Sequence, residues 1–108
     1  MPAFGEIVLA AGGAYSSKPR PVLVFQNQDL YTGESILVIP FTTTDNPDIK
    51  TRLYIVPTER NGLNKACYLE VDKLSAINSA CIGSRVGRLE DDELIRAKAI
   101  MAKLLMMG

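Results

Sequence analysis

No histidine occurs among the 108 residues, and its absence removes most of the usual catalytic repertoire. Histidine acid–base pairs, Ser-His-Asp triads and Cys-His dyads cannot be built. The two cysteines, Cys67 and Cys81, stand apart with no histidine to complete a ligand set, so no metal site is expected. Reduced thiols fit that spacing, and a Cys67–Cys81 disulfide stays open without positive support. The remaining tools are guanidinium, carboxylate, hydroxyl and backbone N–H. Arg20 stands where a glycine- and serine-rich loop meets an apolar run, so a rigid strand would present it to a groove. Its planar fork matches two phosphate oxygens. On residue type alone the stronger reading is a surface arginine clamped between Pro19 and Pro21 only to start the strand. Thr42, Thr43 and Thr44 offer hydroxyls that can donate to a phosphoryl oxygen, or are β-branched strand residues. A one-residue shift turns the side chain to the other face, so which threonine faces a site stays open, with Thr42 preferred. Asp72 is either a base or a cap on the turn Lys73-Leu74-Ser75.

The elements that must position these residues are mostly strands. Gly5 to Ala10 carries Ile7, Val8 and Leu9, a short apolar run suited to a buried strand. Ala11 to Pro19 reads as a loop. Arg20 to Gln28 contains Val22-Leu23-Val24-Phe25, a run that predicts burial on both faces. A turn over Asp29–Glu34 leads to a strand at Ser35–Thr42, where Pro40 marks a terminus or bulge. Thr51 to Val56 alternates, Leu53 and Ile55 against Arg52 and Tyr54. Asn61-Gly62 signals a turn, Cys67–Val71 another strand, Asp72–Ala76 a turn or short helical connector, and Cys81–Leu89 a last, weaker strand.

Glu90 to Met107 is the one helix. Glu90, Asp91, Asp92 and Glu93 crowd its first turn, where the helix dipole favours negative charge. Leu94, Ala97, Met101 and Leu105 share a face, widened by Ile100 and Leu104, while Arg96, Lys98 and Lys103 keep the rest polar. The fold class is therefore mainly β with a C-terminal helix: a small, strongly curved sheet or barrel of about five to seven short, mostly antiparallel strands. One domain over 1–108 is expected, with strands over about 5–89 and the helix over about 90–107.

Twelve basic and twelve acidic side chains cancel, which argues against a generic nucleic-acid coat protein but allows a locally basic site. The apolar content, 47%, is too high for a disordered chain. No apolar run approaches the roughly 20 residues that cross a bilayer. Met1 to Ala14 lacks a basic start and a long apolar core, so a cytoplasmic protein without membrane association is expected. A chain this short buries a limited core and leaves sheet edges, both of which a second subunit would relieve.

Several short motifs occur in order: Phe4-Gly5-Glu6-Ile7-Val8, Lys18-Pro19-Arg20-Pro21-Val22-Leu23-Val24, Val38-Ile39-Pro40-Phe41-Thr42-Thr43, Asn61-Gly62-Leu63, Val71-Asp72-Lys73, and Ile82-Gly83 to Gly87-Arg88-Leu89. The Arg-Pro-Val opening followed about twenty residues later by Pro-Phe-Thr-Thr is the most telling pair. The ordered set, covering nearly the whole chain, resembles the MazF/PemK/Kid toxin family.

That resemblance implies an SH3-like barrel with a C-terminal helix, of the MazF/CcdB type, forming a symmetric homodimer. It implies the toxin of a type II toxin–antitoxin system, a sequence-specific endoribonuclease that cleaves single-stranded RNA, messenger RNA foremost, and so inhibits translation. The chemistry would be 2′-OH attack, with neither metal nor other cofactor. It also implies a MazE-like antitoxin whose extended segment blocks the RNA groove. Carried onto this chain, the catalytic residues are Arg20, Thr42 and Asp72. RNA binding falls to Tyr15, Ser17, Lys18, Thr43 and Lys73. Tyr15 could stack on a base, whereas Phe41 reads better as core. Lys18, Arg52 and Arg85 are either backbone contacts or solvated charges. The Met101–Met107 end is the inner face of the helix or an adaptable partner surface.

The sequence departs from better-known relatives in two places. The loop before Arg20 is shorter and lacks an acidic Ser-Glu-Gln element, leaving Tyr15, Ser16, Ser17 and Lys18. Kid-like relatives carry an arginine two residues before the aspartate, and here that residue is Glu70. A mechanism that uses that arginine as the acid does not transfer. Two rival functions share the fold. A CcdB-like gyrase poison acts through a helix ending in a Trp-Gly-Ile-like signature, but this chain has no tryptophan and ends Leu104-Leu105-Met106-Met107-Gly108. A non-catalytic SH3-like RNA-binding module would keep the groove without needing Arg20.

Overall fold

The computed structural model describes residues 2–13 and 15–108; Met1 and Ala14 lie outside, so the loop expected over Ala11–Pro19 is described except at Ala14. Among the described residues there are seven strands, β1 (Glu6–Gly12), β2 (Ser16–Val24), β3 (Ser35–Thr42), β4 (Arg52–Ile55), β5 (Cys67–Glu70), β6 (Ser75–Asn78) and β7 (Ile82–Arg88), then one helix, α1 (Asp91–Leu104). Short 3-10 turns occupy Gln28–Leu30, Val71–Lys73 and Ser79–Cys81. Every strand pairing is antiparallel.

The sheet runs β4-β5-β3-β2-β1-β7, with β6 also on β3. It curves without closing into the barrel expected from the sequence. Among the described residues its ends, β4 and β7, are joined by the loop after β4, where the Arg88 N–H donates to the Arg60 carbonyl at 3.0 Å. β3 changes partner along its length. Ser35 to Val38 pair with β6, Phe41 and Thr42 pair with β5, and Pro40, which has no N–H to donate, stands between the two ladders.

The sheet buries both faces of its central strands. Val22, Leu23 and Val24 are each fully buried, as the continuous apolar run predicts. Leu23 joins Ile7, Ile39, Ile55, Leu69 and the helix residues Leu94, Ala97 and Met101 in one core, with Phe41 packed at its edge. Val22 and Val24 join Val8, Ile36, Val38 and Ile77 in another. Each fully buried valine, leucine or isoleucine among them contributes roughly 1.5–3 kcal/mol of burial. Helix α1 starts on a capping box, with the Glu90 N–H donating to Glu93 Oε1 at 3.0 Å. It ends at Leu104, so Leu105, expected on the inner face, is the C-cap and is exposed.

Two further differences concern pairing. β2 begins at Ser16 rather than Arg20, because β1 continues to Gly12 and offers Ser16 a partner. Ser75–Asn78, part of a segment read as a connector or left unassigned, forms β6 because β3 supplies its ladder. Neither strand has an apolar alternation of its own, so tertiary pairing decides both.

Candidate active site

Arg20 is aimed by an irregularity in the β1–β2 hairpin. Ala10 pairs with Arg20 and Gly12 with Ser16, so Ser17, Lys18 and Pro19 stand opposite the single residue Ala11. Such a bulge re-aims the side chains beside it, and Pro19 is tolerated there because it owes the ladder no N–H. The Arg20 Nε donates to Ser16 Oγ at 3.3 Å, and that hydroxyl donates to the Lys18 carbonyl at 2.8 Å. The hairpin thus restrains one side of the guanidinium while the group stays exposed.

Across the sheet, Val22 pairs with Pro40. The ladder ends at that pair, and Arg20 and Thr42 each lie two residues beyond it on their strands. Both line a groove of about 350 Å³, together with Thr43, Phe41, Lys65 and Cys67. The Thr42 hydroxyl accepts from the Thr44 N–H at 3.2 Å, which leaves its own proton to donate elsewhere. Arg20, Thr42 and Thr43 are therefore brought together, and Thr43, exposed on the rim, joins Thr42 rather than replacing it.

None of the other expected residues lines this groove. Ser17 and Lys18 are exposed on the bulge. Tyr15 sits at the hairpin tip and packs against the second core. Burial pushes its hydroxyl pKa up, Arg20 pulls it down and Glu70 adds to the rise, so the phenol lies within the field of both charges. It lines a separate groove of about 530 Å³ with Ala76, Ile77 and Cys81. Asp72 and Lys73 are exposed on the Val71–Lys73 turn. Asp72 lies inside that turn, and the cap position belongs to Glu70, which makes no side-chain capping bond.

Strand pairing also adds residues that sequence reasoning did not single out. Thr42 pairs with Tyr68, and Tyr68 with Tyr54. One row across the sheet thus runs from the Arg20 cation through a hydroxyl to two aromatic rings, whose centroids lie 5.2 Å apart at 48°. Tyr54 is 53% exposed. Partial burial and the nearby Asp45 carboxylate push the Tyr68 hydroxyl pKa up. The Thr51–Val56 alternation placed Tyr54 on an outward face, but only the β3-β5-β4 order makes that face continuous with Arg20.

Two arginines read as backbone contacts or solvated charges are engaged elsewhere. Arg52 Nη2 lies 3.4 Å from Glu70 Oε2, with both side chains nearly buried, and Arg85 Nε lies 2.9 Å from Glu6 Oε2. Both thiols are free; burial, with a contribution from Glu93, pushes Cys67 up to about 11. Among the described residues no three acidic, cysteine or histidine side chains converge as metal ligands, and no helix is long and apolar enough to cross a membrane.

Residues 3–105 match the family described as PemK-like, MazF-like toxin of type II toxin–antitoxin system. The chain is 37% identical over 106 residues to a probable endoribonuclease MazF of Mycolicibacterium smegmatis, covering 96% of this chain and 97% of that protein. Among solved structures, it is similar to an endoribonuclease from a mycobacterial species in complex with its cognate antitoxin (TM-score 0.79, 18% identity, 100% of this chain and 98% of the other). It is also similar to a MazE–MazF crystal structure from Deinococcus radiodurans (TM-score 0.79, 17% identity, 99% and 97%). At those identities the structures speak for the fold, and the family match and the M. smegmatis relative speak for kinship: the chain belongs to the PemK-like, MazF-like toxins of type II toxin–antitoxin systems.

Proposed function

We propose that this toxin is a metal-independent endoribonuclease that cleaves single-stranded RNA, messenger RNA foremost, by the RNA's own 2′-OH. The observation that supports the reading is that Arg20 and Thr42 line one groove, in a chain of this family. In such a cleavage the 2′ oxygen bonds to the adjacent phosphorus, the 5′ oxygen leaves, and the products are a 2′,3′-cyclic phosphate and a free 5′-OH. The Arg20 fork binds two phosphoryl oxygens and is worth most as their charge grows in the phosphorane. Thr42 hydrogen-bonds to one of them through its hydroxyl and keeps its proton, Asp72 takes the 2′ proton, and solvent water supplies the proton that the leaving 5′ oxygen gains as its bond to phosphorus breaks. Lys18, Lys73, Ser17 and Thr43 hold the backbone, and Tyr15 with the Tyr54–Tyr68 pair stacks the bases.

The working form in this proposal is a cytoplasmic homodimer of a single-domain chain over 1–108. Its partner is a MazE-like antitoxin whose extended segment occupies the RNA groove. The M. smegmatis relative named as an endoribonuclease and the mycobacterial structure named as a complex with its antitoxin support this reading.

The test is cleavage of a single-stranded RNA by purified protein in excess EDTA, with chemical analysis of the new ends. Cyclic phosphate and 5′-OH ends are expected. A requirement for added magnesium, or 5′-phosphate ends, would overturn the mechanism. RNA binding without cleavage would leave a non-catalytic module, and trapping of gyrase on supercoiled DNA without RNA cleavage would indicate a CcdB-like poison.

A further inference from the structure

Glu70 is the last residue of β5 and one of the few buried charged side chains, 6% exposed. Its Oε2 lies 3.4 Å from Arg52 Nη2 on the neighbouring strand and 3.1 Å from Lys73 Nζ on the turn that follows. The other arm of Arg52 donates from Nη1 to the Thr44 carbonyl at 2.9 Å, and the Thr44 N–H donates to Thr42 Oγ1. A continuous polar chain therefore runs Thr42–Thr44–Arg52–Glu70–Lys73. Asp72 lies in the backbone between its last two members.

We propose that Glu70 is a positioning residue: through Arg52 on one side and Lys73 on the other, its carboxylate sets Thr42 and Asp72 relative to each other. The proposal rests on the roles given above to Thr42 and Asp72. Stability alone does not account for the arrangement. Buried ion pairs return little net stability after desolvation, and Arg52 Nε is buried without a partner among the described residues, which is a cost. The network instead adds a side-chain tie beyond the points where the ladders hold the backbone, past Thr42, which pairs with Tyr68, and past Val71, whose N–H donates to the Thr51 carbonyl at 3.2 Å. The Thr42–Thr44 segment runs off the end of β3, and the Val71–Lys73 turn runs off the end of β5. An unrestrained error of about 1 Å in a catalytic group can lower a rate by roughly 100-fold.

Steady-state cleavage of an RNA oligonucleotide, measured well below the melting point of each variant, tests this. Glu70→Gln keeps the shape and one acceptor for Arg52 but loses the charge that holds both cations. Its kcat should fall roughly 10- to 100-fold, with KM changed by no more than about threefold, because Lys73 is the one substrate contact that loses its partner while Lys18, Ser17 and Thr43 stay in place. Combined with Asp72→Asn, the losses should be far from multiplicative, since Glu70 acts through Asp72. The exchange Arg52→Glu with Glu70→Arg rebuilds an ion pair across the ladder. It leaves the Thr44 carbonyl without its donor and sets a cation against Lys73, so it should recover melting temperature but not kcat. Wild-type kcat in folded Glu70→Gln, multiplicative losses with Asp72→Asn, or recovery of kcat by the exchange would each overturn the positioning role while leaving the nuclease reading intact. Should Glu70→Gln not fold, the exchanged pair alone decides. Wild-type protein that cleaves no RNA overturns the nuclease reading and this inference with it.

Discussion

Replacing Arg20 by alanine should separate folding from chemistry. The side chain is exposed, and among the described residues its hydrogen bond is the 3.3 Å contact from Nε to Ser16 Oγ, at the weak end of the range. Surface substitutions of this kind usually change stability by about 0.5 kcal/mol or less. At roughly 4–8 °C per kcal/mol for a domain of this size, the melting temperature should move by no more than about 2–4 °C. The rate should respond differently. A donor aimed at charge that grows in the transition state is worth about 2.7 kcal/mol or more, which is ~100-fold in kcat. Arg20→Lys keeps the charge without the planar fork, so it should fall between wild type and alanine. The assay is cleavage of a fluorogenic single-stranded RNA in EDTA, with thermal melts on the same preparations. Near-wild-type cleavage by a folded Arg20→Ala protein would refute the reasoning. So would a rate loss matched by a comparable loss of stability, which would make Arg20 a structural residue of the bulge.

Other predictions follow from the packing. A Cβ at Gly87 would collide with the Arg60 carbonyl and the Asn61 backbone, so Gly87→Ala should destabilise by roughly 1–3 kcal/mol, read as a lower urea midpoint. Because burial raises the Cys67 thiol to about 11, the folded state holds it protonated at neutral pH. Alkylation at pH 8 should therefore modify the partly exposed Cys81 first, and Cys67 only as the pH climbs toward 11 or the chain unfolds, as peptide mass mapping would show.

Much of the fold was legible in local pattern. The boundaries of β3 coincide with the apolar run Ser35–Thr42, and the acidic first turn of α1 marks its start within a residue. The run Val22–Val24 announced burial on both faces because a strand with no polar alternation can only sit inside a sheet covered on both sides. Segments that lack a pattern of their own were not legible. Ser16–Pro19 and Ser75–Asn78 are strands because β1 and β3 pair with them, and their residues carry no periodic signal of that partnership. Leu105 has the spacing of a core residue but falls where the helix ends, and spacing cannot show where a helix stops.

The candidate site divides along the same line. Sequence by itself determined the chemical inventory: no imidazole, a few arginines and hydroxyls, and an arginine where a loop becomes a strand. Tertiary structure decided which of these meet. Tyr68 adjoins Thr42, and Arg52 adjoins Glu70, only through strand pairings between residues distant in the chain. A solvated charge and a buried ion pair are the same letters in a sequence. What distinguishes Arg52 from Lys18 is whether a neighbouring strand brings a carboxylate to it, and that depends on register, which non-local packing sets.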